Sequence, residues 1–405
     1  MKRRHAKDLR ALGKLAVTAT VEVTDIVESM HATIASGPPI LGKPLSAPAR
    51  LFTKIAYAPT KAITKLVGVG LDALLARLDP WLGESVPGPQ REAFVAALNG
   101  VLGDTLFESD NPLATETCFR HRNGERARTL GHDADAIREA IPDATGRLLI
   151  LVHGSSMNDR QWTRRGHDHG AALATDLGFT PVYLLYNSGR HVSTNGAELA
   201  RMLDALVRVW PIPVESVVLL GHSMGGLVAR SACHVADEEG LPWRTKLSHL
   251  VTLGTPHHGA PLERAGNMFH ALLGVTAYSA PIARLARIRS AGVTDLRFGN
   301  VLDEHWEGVE DRFALGTDTR RPLPLPAGVS CHAIAGTTAP TTSDGLPGDG
   351  LVPVASALGE HPRAELTLDF AEENRWIALG ADHLGLLDSA AVYDKVRTWL
   401  EEKRG

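Results

Sequence analysis

The sequence predicts an α/β fold: a mostly parallel sheet with helices on both faces, a helical insertion and an N-terminal helical extension. Three observations lead there. Short, continuous apolar runs recur from position 147 onward, as buried parallel strands do. Amphipathic helical patterns separate them, and such alternation implies a sheet covered on both faces. Before about position 110 only helical periodicity is visible. A chain of 405 residues has room for one large domain with an appendage, or for two domains.

The apolar runs are RLLILV at 147–152, PVYLLY at 181–186, SVVLLG at 216–221, HLVTLG at 249–254 and VSCHAIAG at 329–336. A last strand lies in either ELTLDF at 365–370 or RWIALG at 375–380. Helical patterns fall at 169–177, 196–210, 226–238 and 389–402, and 116–130 is suited to antiparallel edge strands. These elements define a domain over 111–405, with an insertion at about 262–311 that is long for a connection between strands. In the 1–110 extension, Leu9, Leu12, Leu15, Ala19, Val23, Ile26, Met30 and Ile34 mark one helix face, which Gly37-Pro38-Pro39 ends. A second helix is expected at 51–78 and a third at 90–106.

Composition narrows the function classes. The hydrophobic fraction is 44% and the charged fraction 22%, as in an ordinary globular protein. A net charge of −4 argues against a nucleic-acid partner. Three scattered cysteines, Cys118, Cys233 and Cys331, form no CxxC pair, which suits reduced, buried thiols and a cytoplasmic location. The basic N-terminus has too short an apolar stretch for a secretory signal, interrupted by Glu22 and Asp25. No run of about 18 uncharged apolar residues occurs, so no spanning helix is expected.

The chemistry begins at SVVLLGHSMGGLVARSA. Gly221-His222-Ser223-Met224-Gly225 fits G-x-S-x-G between a strand and an amphipathic helix, the context of a nucleophile elbow. The serine sits at the tip of a strained turn. Strand and helix pass so close that Gly221 and Gly225 are needed, and the helix N-terminus adds a positive dipole end. A serine hydroxyl needs a base, and the order in this kind of site is serine, acid, histidine. In the loop after VSCHAIAG, Asp344 and Asp349 compete for the acid; the apolar run after Asp349 favours it. His383, between the last strand and the C-terminal helix, is the expected base. An oxyanion needs two donors. One is the N–H of Met224, and the other comes from the loop LVHGSSMNDRQW, with Ser155 first and Ser156 second. His153 is read as orienting that loop.

The set VHGSSMND, GHSMGG, VTLGTPHHGAPLERAGN, DGLVPV and DHLGLLD resembles lipase-like members of the α/β-hydrolase superfamily. It is most similar to the branch holding bacterial triacylglycerol lipases and GPI inositol-deacylase-like serine hydrolases. The resemblance covers about 147–400. It implies the α/β-hydrolase fold and a triad of Ser223, Asp349 and His383, and so adds weight to Asp349. It also implies that the insertion at 262–311 is a lid whose apolar face binds an acyl chain; a packed helical insertion that never moves is the other reading. Bacterial lipases of this branch often bind calcium, but no ligand set for it is visible here. No cofactor and no metal are expected.

Other motifs have plainer readings. Asp168 in GHDHG is expected to cap a helix, with solvated imidazoles at His167 and His169 rather than metal ligands. His257-His258 either lines the acyl pocket or anchors its loop. In NSGRHVSTNG, Arg190 or His191 contacts substrate or closes the site, or Thr194 or Asn195 caps the next helix.

The expected function is hydrolysis of a small-molecule or lipid ester through an acyl-enzyme on Ser223. An acyltransferase or thioesterase would use the same residues, and a catalytically idle binding module is a third reading. Residues 1–65 hold eleven basic and four acidic residues, a net of +7 against −11 for the rest. Arg50, Lys54, Lys61 and Lys65 recur at helical spacing among Leu51, Ile55, Ala62, Leu66 and Val69. Such a helix either docks on an anionic lipid surface or packs on the catalytic domain or a second copy of the chain.

Overall fold

In the computed structural model, the described residues are 89–124, 126–260, 290–308, 318–342 and 346–401. The chain divides into two units, Met1–Arg91 and Glu92–Gly405. Of the first, only the opening turn of one helix is described. The two expected helices at 9–34 and 51–78, most of the expected lid, and Asp344 lie outside the described residues.

Helix α1 is Pro89–Glu108, and a β-ribbon of β1 (Cys118–Asn123) and β2 (Arg126–Thr129) follows. Helix α2 (Ala134–Ala140) leads into β3 (Arg147–Val152), α3 (His169–Leu177), β4 (Thr180–Leu185) and α4 (Val192–Val209). Then come β5 (Ser216–His222), α5 (Met224–Glu238), β6 (Leu247–Leu253) and the short α6 (Ala291–Asp295). The described chain closes with β7 (Ser330–Thr337), α7 (Val354–Ala357), β8 (Arg375–Leu379) and α8 (Ala390–Glu401).

Among the described residues the sheet has eight strands, in the order β2-β1-β4-β3-β5-β6-β7-β8. β1 is antiparallel to both of its neighbours, and every pairing from β4 to β8 is parallel. The apolar runs are continuous because the central strands are covered on both faces. Leu148 to Val152, Val217 to Leu220 and Ala333 to Ala335 are all buried. Each such Leu, Val or Ile contributes roughly 1.5–3 kcal/mol on burial. Among the described residues no helix is long and apolar enough to cross a membrane.

Strand order places the site. The chain leaves β3 for β4 on one side, then returns to β5 on the other, so order reverses at β3. Ligands of open α/β sheets bind at the carboxyl ends of strands flanking such a reversal. Val152 pairs with Gly221 at that edge, so the loops after β3 and β5 emerge side by side.

The structure decides between the two candidates for the last strand and corrects the start of one helix together with the caps expected there. Of the two candidates for the last strand, 375–379 forms it; 364–366 is a single 3₁₀ turn. Helix α4 begins at Val192, four residues before the expected start, so Thr194 and Asn195 lie inside it and cap nothing. Its cap comes from far away instead. The Val192 N–H donates to Asp295 Oδ2 at 2.8 Å, and the same oxygen accepts from His191 Nδ1 at 3.0 Å.

Candidate active site

Ser223 joins β5 to α5 with φ 55° and ψ −126°. A non-glycine residue there costs of order 1–3 kcal/mol, and persists only where the surroundings enforce it. They do so at several points. The Ser223 N–H donates to Leu253 O at 2.8 Å, and the Gly226 N–H donates to Ser223 O at 3.1 Å. A Cβ at Gly221 would lie 2.6 Å from Gly226 Cα, and one at Gly225 would lie 2.6 Å from His153 O. Both positions therefore demand glycine. Ser223 is buried, and among the described residues its Oγ has no hydrogen-bond partner.

Asp349 and His383 meet across two loops, one after β7 and one after β8. His383 Nδ1 donates to Asp349 Oδ2 at 2.7 Å, and the His383 N–H donates to Asp349 O at 3.0 Å. Asp349 Oδ1 accepts from the N–H groups of Leu351 (3.0 Å) and Val352 (2.8 Å). Burial works to raise the Asp349 pKa, but the His383 imidazole and these two amides outweigh it, and the carboxyl sits below its ordinary value. With Nδ1 committed as donor, His383 Nε2 is the lone-pair nitrogen. It is buried and makes no hydrogen bond among the described residues.

His222, the residue before Ser223, ties the elbow to this pair. Its ring lies 4.8 Å from that of His383, and its Nε2–H donates to His383 O at 3.0 Å. Burial holds its pKa down at about 3, so the ring is a neutral donor. This residue was not singled out in the sequence. Its partner is 161 positions away, and a variable position in G-x-S-x-G carries no signal of its own.

The loop after β3 rests on Ser223. A Cβ at Gly154 would lie 3.0 Å from Ser223 Cβ. The Ser156 N–H donates to Ser188 Oγ at 2.9 Å, which occupies the second of the two candidate donors. Among the described residues no hydrogen bond engages the Ser155 N–H, and Ser155 is buried. Met224 opens α5, where backbone N–H groups have no intrahelical acceptor. His153 stacks on Tyr186 (4.2 Å between centroids), donates from Nδ1 to Gly154 O at 2.8 Å, and accepts the Tyr186 N–H at Nε2 at 3.4 Å. Burial lowers its pKa to about 4. It braces the loop as a neutral ring.

The remaining motifs belong to the scaffold. Asp168 caps α3 through the Gly170 and Ala171 amides. His169 is buried rather than solvated, because its Nε2–H donates to Leu386 O at 2.9 Å. Burial lowers its pKa to about 4. No group of three metal-ligating side chains occurs among the described residues. His257 accepts from Arg230 Nη1 at 3.4 Å and donates to Thr252 Oγ1 at 3.3 Å. His258 donates to Gly359 O at 3.0 Å, so both imidazoles anchor their loop. Arg190 pairs with Glu198 at 2.8 Å and lies over the Phe107 ring at 4.0 Å. His191 stacks on Trp306 at 3.8 Å.

Residues 143–321 match the family model described as the PGAP1-like alpha/beta domain. A comparison with curated proteins returns no match. Among solved structures the chain is similar to the mature Bacillus licheniformis lipase BlEst2, at 17% identity and a TM-score of 0.40, over 63% of this chain and 91% of that one. It is similar to the RedJ thioesterase of Streptomyces coelicolor at 16% identity and a TM-score of 0.35, over 64% and 91% of the two chains. The Pyrococcus furiosus esterase Pf2001 aligns at 15% identity and a TM-score of 0.35, over 64% and 80%.

Proposed function

We propose that this chain, a lipase-like α/β-hydrolase, cleaves carboxylic esters through an acyl-enzyme formed on Ser223. The observation that carries the reading is the Asp349–His383 hydrogen bond, which leaves His383 Nε2 without a partner among the described residues, in the same buried centre as the strained Ser223.

Ser223 Oγ attacks the ester carbonyl carbon while His383 Nε2 takes its proton. The carbonyl oxygen becomes an oxyanion and accepts from the Met224 and Ser155 N–H groups. Two such donors in a water-poor site lower the barrier more than any other single feature. His383 then protonates the leaving alkoxide, which departs as the alcohol and leaves the acyl group on Ser223. Water repeats the sequence: His383 takes its proton, the hydroxide attacks, and the acid leaves as Ser223 regains its proton. Asp349 holds the imidazole in the tautomer that presents Nε2 and stabilises its cationic form. No hydrogen bond joins Ser223 Oγ to His383 Nε2 among the described residues, and catalytic hydrogen bonds commonly tighten only around substrate.

The substrate class proposed is an apolar acyl ester, on the apolar patterns MFHALLG and PIARLARI of the insertion. The test is a fluorophosphonate label together with p-nitrophenyl esters of rising chain length. The parent chain should label and Ser223→Ala should not, with turnover rising beyond acetate. Labelling that survives Ser223→Ala would remove the reading. Adding an alcohol or thiol acceptor separates hydrolase from transferase: ester product in preference to free acid would assign the acceptor.

A further inference from the structure

We infer that Ser188 and Gly100 are positioning residues for the oxyanion, holding the loop after β3 so that the Ser155 amide is presented beside Ser223. This rests on the serine-hydrolase reading above.

Four non-glycine residues have positive φ among the described residues: Asp110, Ser156, Arg165 and Ser223. Asp110 and Arg165 are exposed, and the two buried ones are Ser223 and Ser156 (φ 59°). Buried, strained backbone of this kind gathers at functional sites. Gly154 links the two, since it lies directly against Ser223.

Two contacts enforce the conformation of Ser156. Its N–H donates to Ser188 Oγ. Its other side faces α1, where a Cβ at Gly100 would overlap the Ser156 side chain and come within 2.8 Å of its Cα. On either side the loop has no slack. Gly154 is seated on Ser223, and Met157 and Asn158 are buried beyond it. Relaxation of Ser156 toward the right-handed region must therefore be absorbed between 154 and 156, the stretch that carries the Ser155 amide.

Ser188 is itself braced by α1. Asn187 Nδ2 donates to Gly103 O at 2.8 Å, and the Gly189 N–H donates to Asn187 Oδ1 at 3.0 Å. The 290–292 segment closes the frame. Ser290 Oγ donates to Gly100 O at 2.7 Å, the Ala291 N–H to Asp104 Oδ2 at 2.9 Å, and the Gly292 N–H to Gly189 O at 3.0 Å. One helix thus carries the loop after β3, the loop after β4 and the start of α6.

The test is steady-state kinetics on the full chain with a p-nitrophenyl ester, with melting temperatures alongside. Ser188→Ala should lower kcat about ten- to a hundredfold, the scale of a misplaced oxyanion donor, with KM within about twofold. Gly100→Ala should act in the same way, and adding Ser156→Gly should recover part of the loss, because glycine accepts the positive φ and removes the side chain that is struck, leaving only the contact with its Cα. A folded Ser188→Ala variant with kcat within about twofold of the parent would overturn the inference. So would a loss carried by KM, or a Gly100→Ala defect that Ser156→Gly leaves untouched. If Gly100→Ala does not fold, Ser188→Ala decides alone. Parent turnover that persists in Ser223→Ala overturns the reading beneath, and is seen before these variants are compared.

Discussion

His222 Nε2 donates to the backbone carbonyl of His383 at 3.0 Å, so the residue before the proposed nucleophile holds the loop that carries the proposed base. The bond is made by a ring that burial keeps neutral. Replacing it with phenylalanine keeps a ring of similar shape but leaves the carbonyl unpaired. His222→Phe should lower kcat about five- to thirtyfold, equivalent to ~1–2 kcal/mol for a buried hydrogen bond. Unchanged kcat would restrict the contact to a folding role.

Removing the nucleophile should be far more severe. Ser223→Ala should leave the melting temperature within a few degrees of the parent and lower kcat by about four to six orders of magnitude, as deletion within a triad does. His383→Ala should cost a similar factor. Retention of more than about a tenth of parent activity in Ser223→Ala would assign the chemistry elsewhere.

The acid is separable by one substitution. Asp349→Asn preserves shape but reverses what His383 Nδ1 meets, and kcat should fall by about 10⁴-fold. Asp344→Asn should leave kcat near the parent value. The opposite pattern would transfer the role to Asp344.

Stability should fall steeply in mild acid. His153 and His169 are held at about 4 and His222 at about 3, each by burial, against an ordinary value near 6.5. Between these values the unfolded chain binds more protons than the folded one, so stability drops as pH falls from about 6.5 toward 4. Each ring contributes up to ~1.4 kcal/mol per pH unit. Asp349 acts in the same sense at lower pH, because its depressed pKa stabilises the fold only while the carboxyl is ionised. Thermal melts at pH 7, 6 and 5 check this. His169→Gln should flatten the curve, and a melting temperature independent of pH would contradict the burial of these rings.

The basic N-terminal region makes a separate prediction. With a net of +7 over residues 1–65, the full chain should co-sediment with anionic vesicles at low salt and much less at high salt. Neutral vesicles should not carry it down. Charge reversal at Lys54, Lys61 and Lys65 should abolish the binding; sedimentation that ignores those charges would detach this region from any lipid surface.

The parallel strands could be read from the sequence because strands buried on both faces need unbroken apolar runs, and 147–152 shows this to the residue. The Ser223 turn was equally legible: the close approach of β5 and α5 leaves room only for glycine at 221 and 225, and that need is written locally. The acid candidates, Asp344 and Asp349, were each followed by glycine and could be ranked but not separated by local pattern. Which one meets a histidine 34 positions later depends on how the loops after β7 and β8 close. The same holds for Asp295 at the start of α4, for His222 beneath His383, and for Gly100 and Ser188 around Ser156. Local sequence determines which segments become strands and where the backbone must turn, because propensity, periodicity and steric exclusion act between near neighbours. Hydrogen bonds between loops are set by sheet order and register, so only the tertiary structure decided which polar groups would meet.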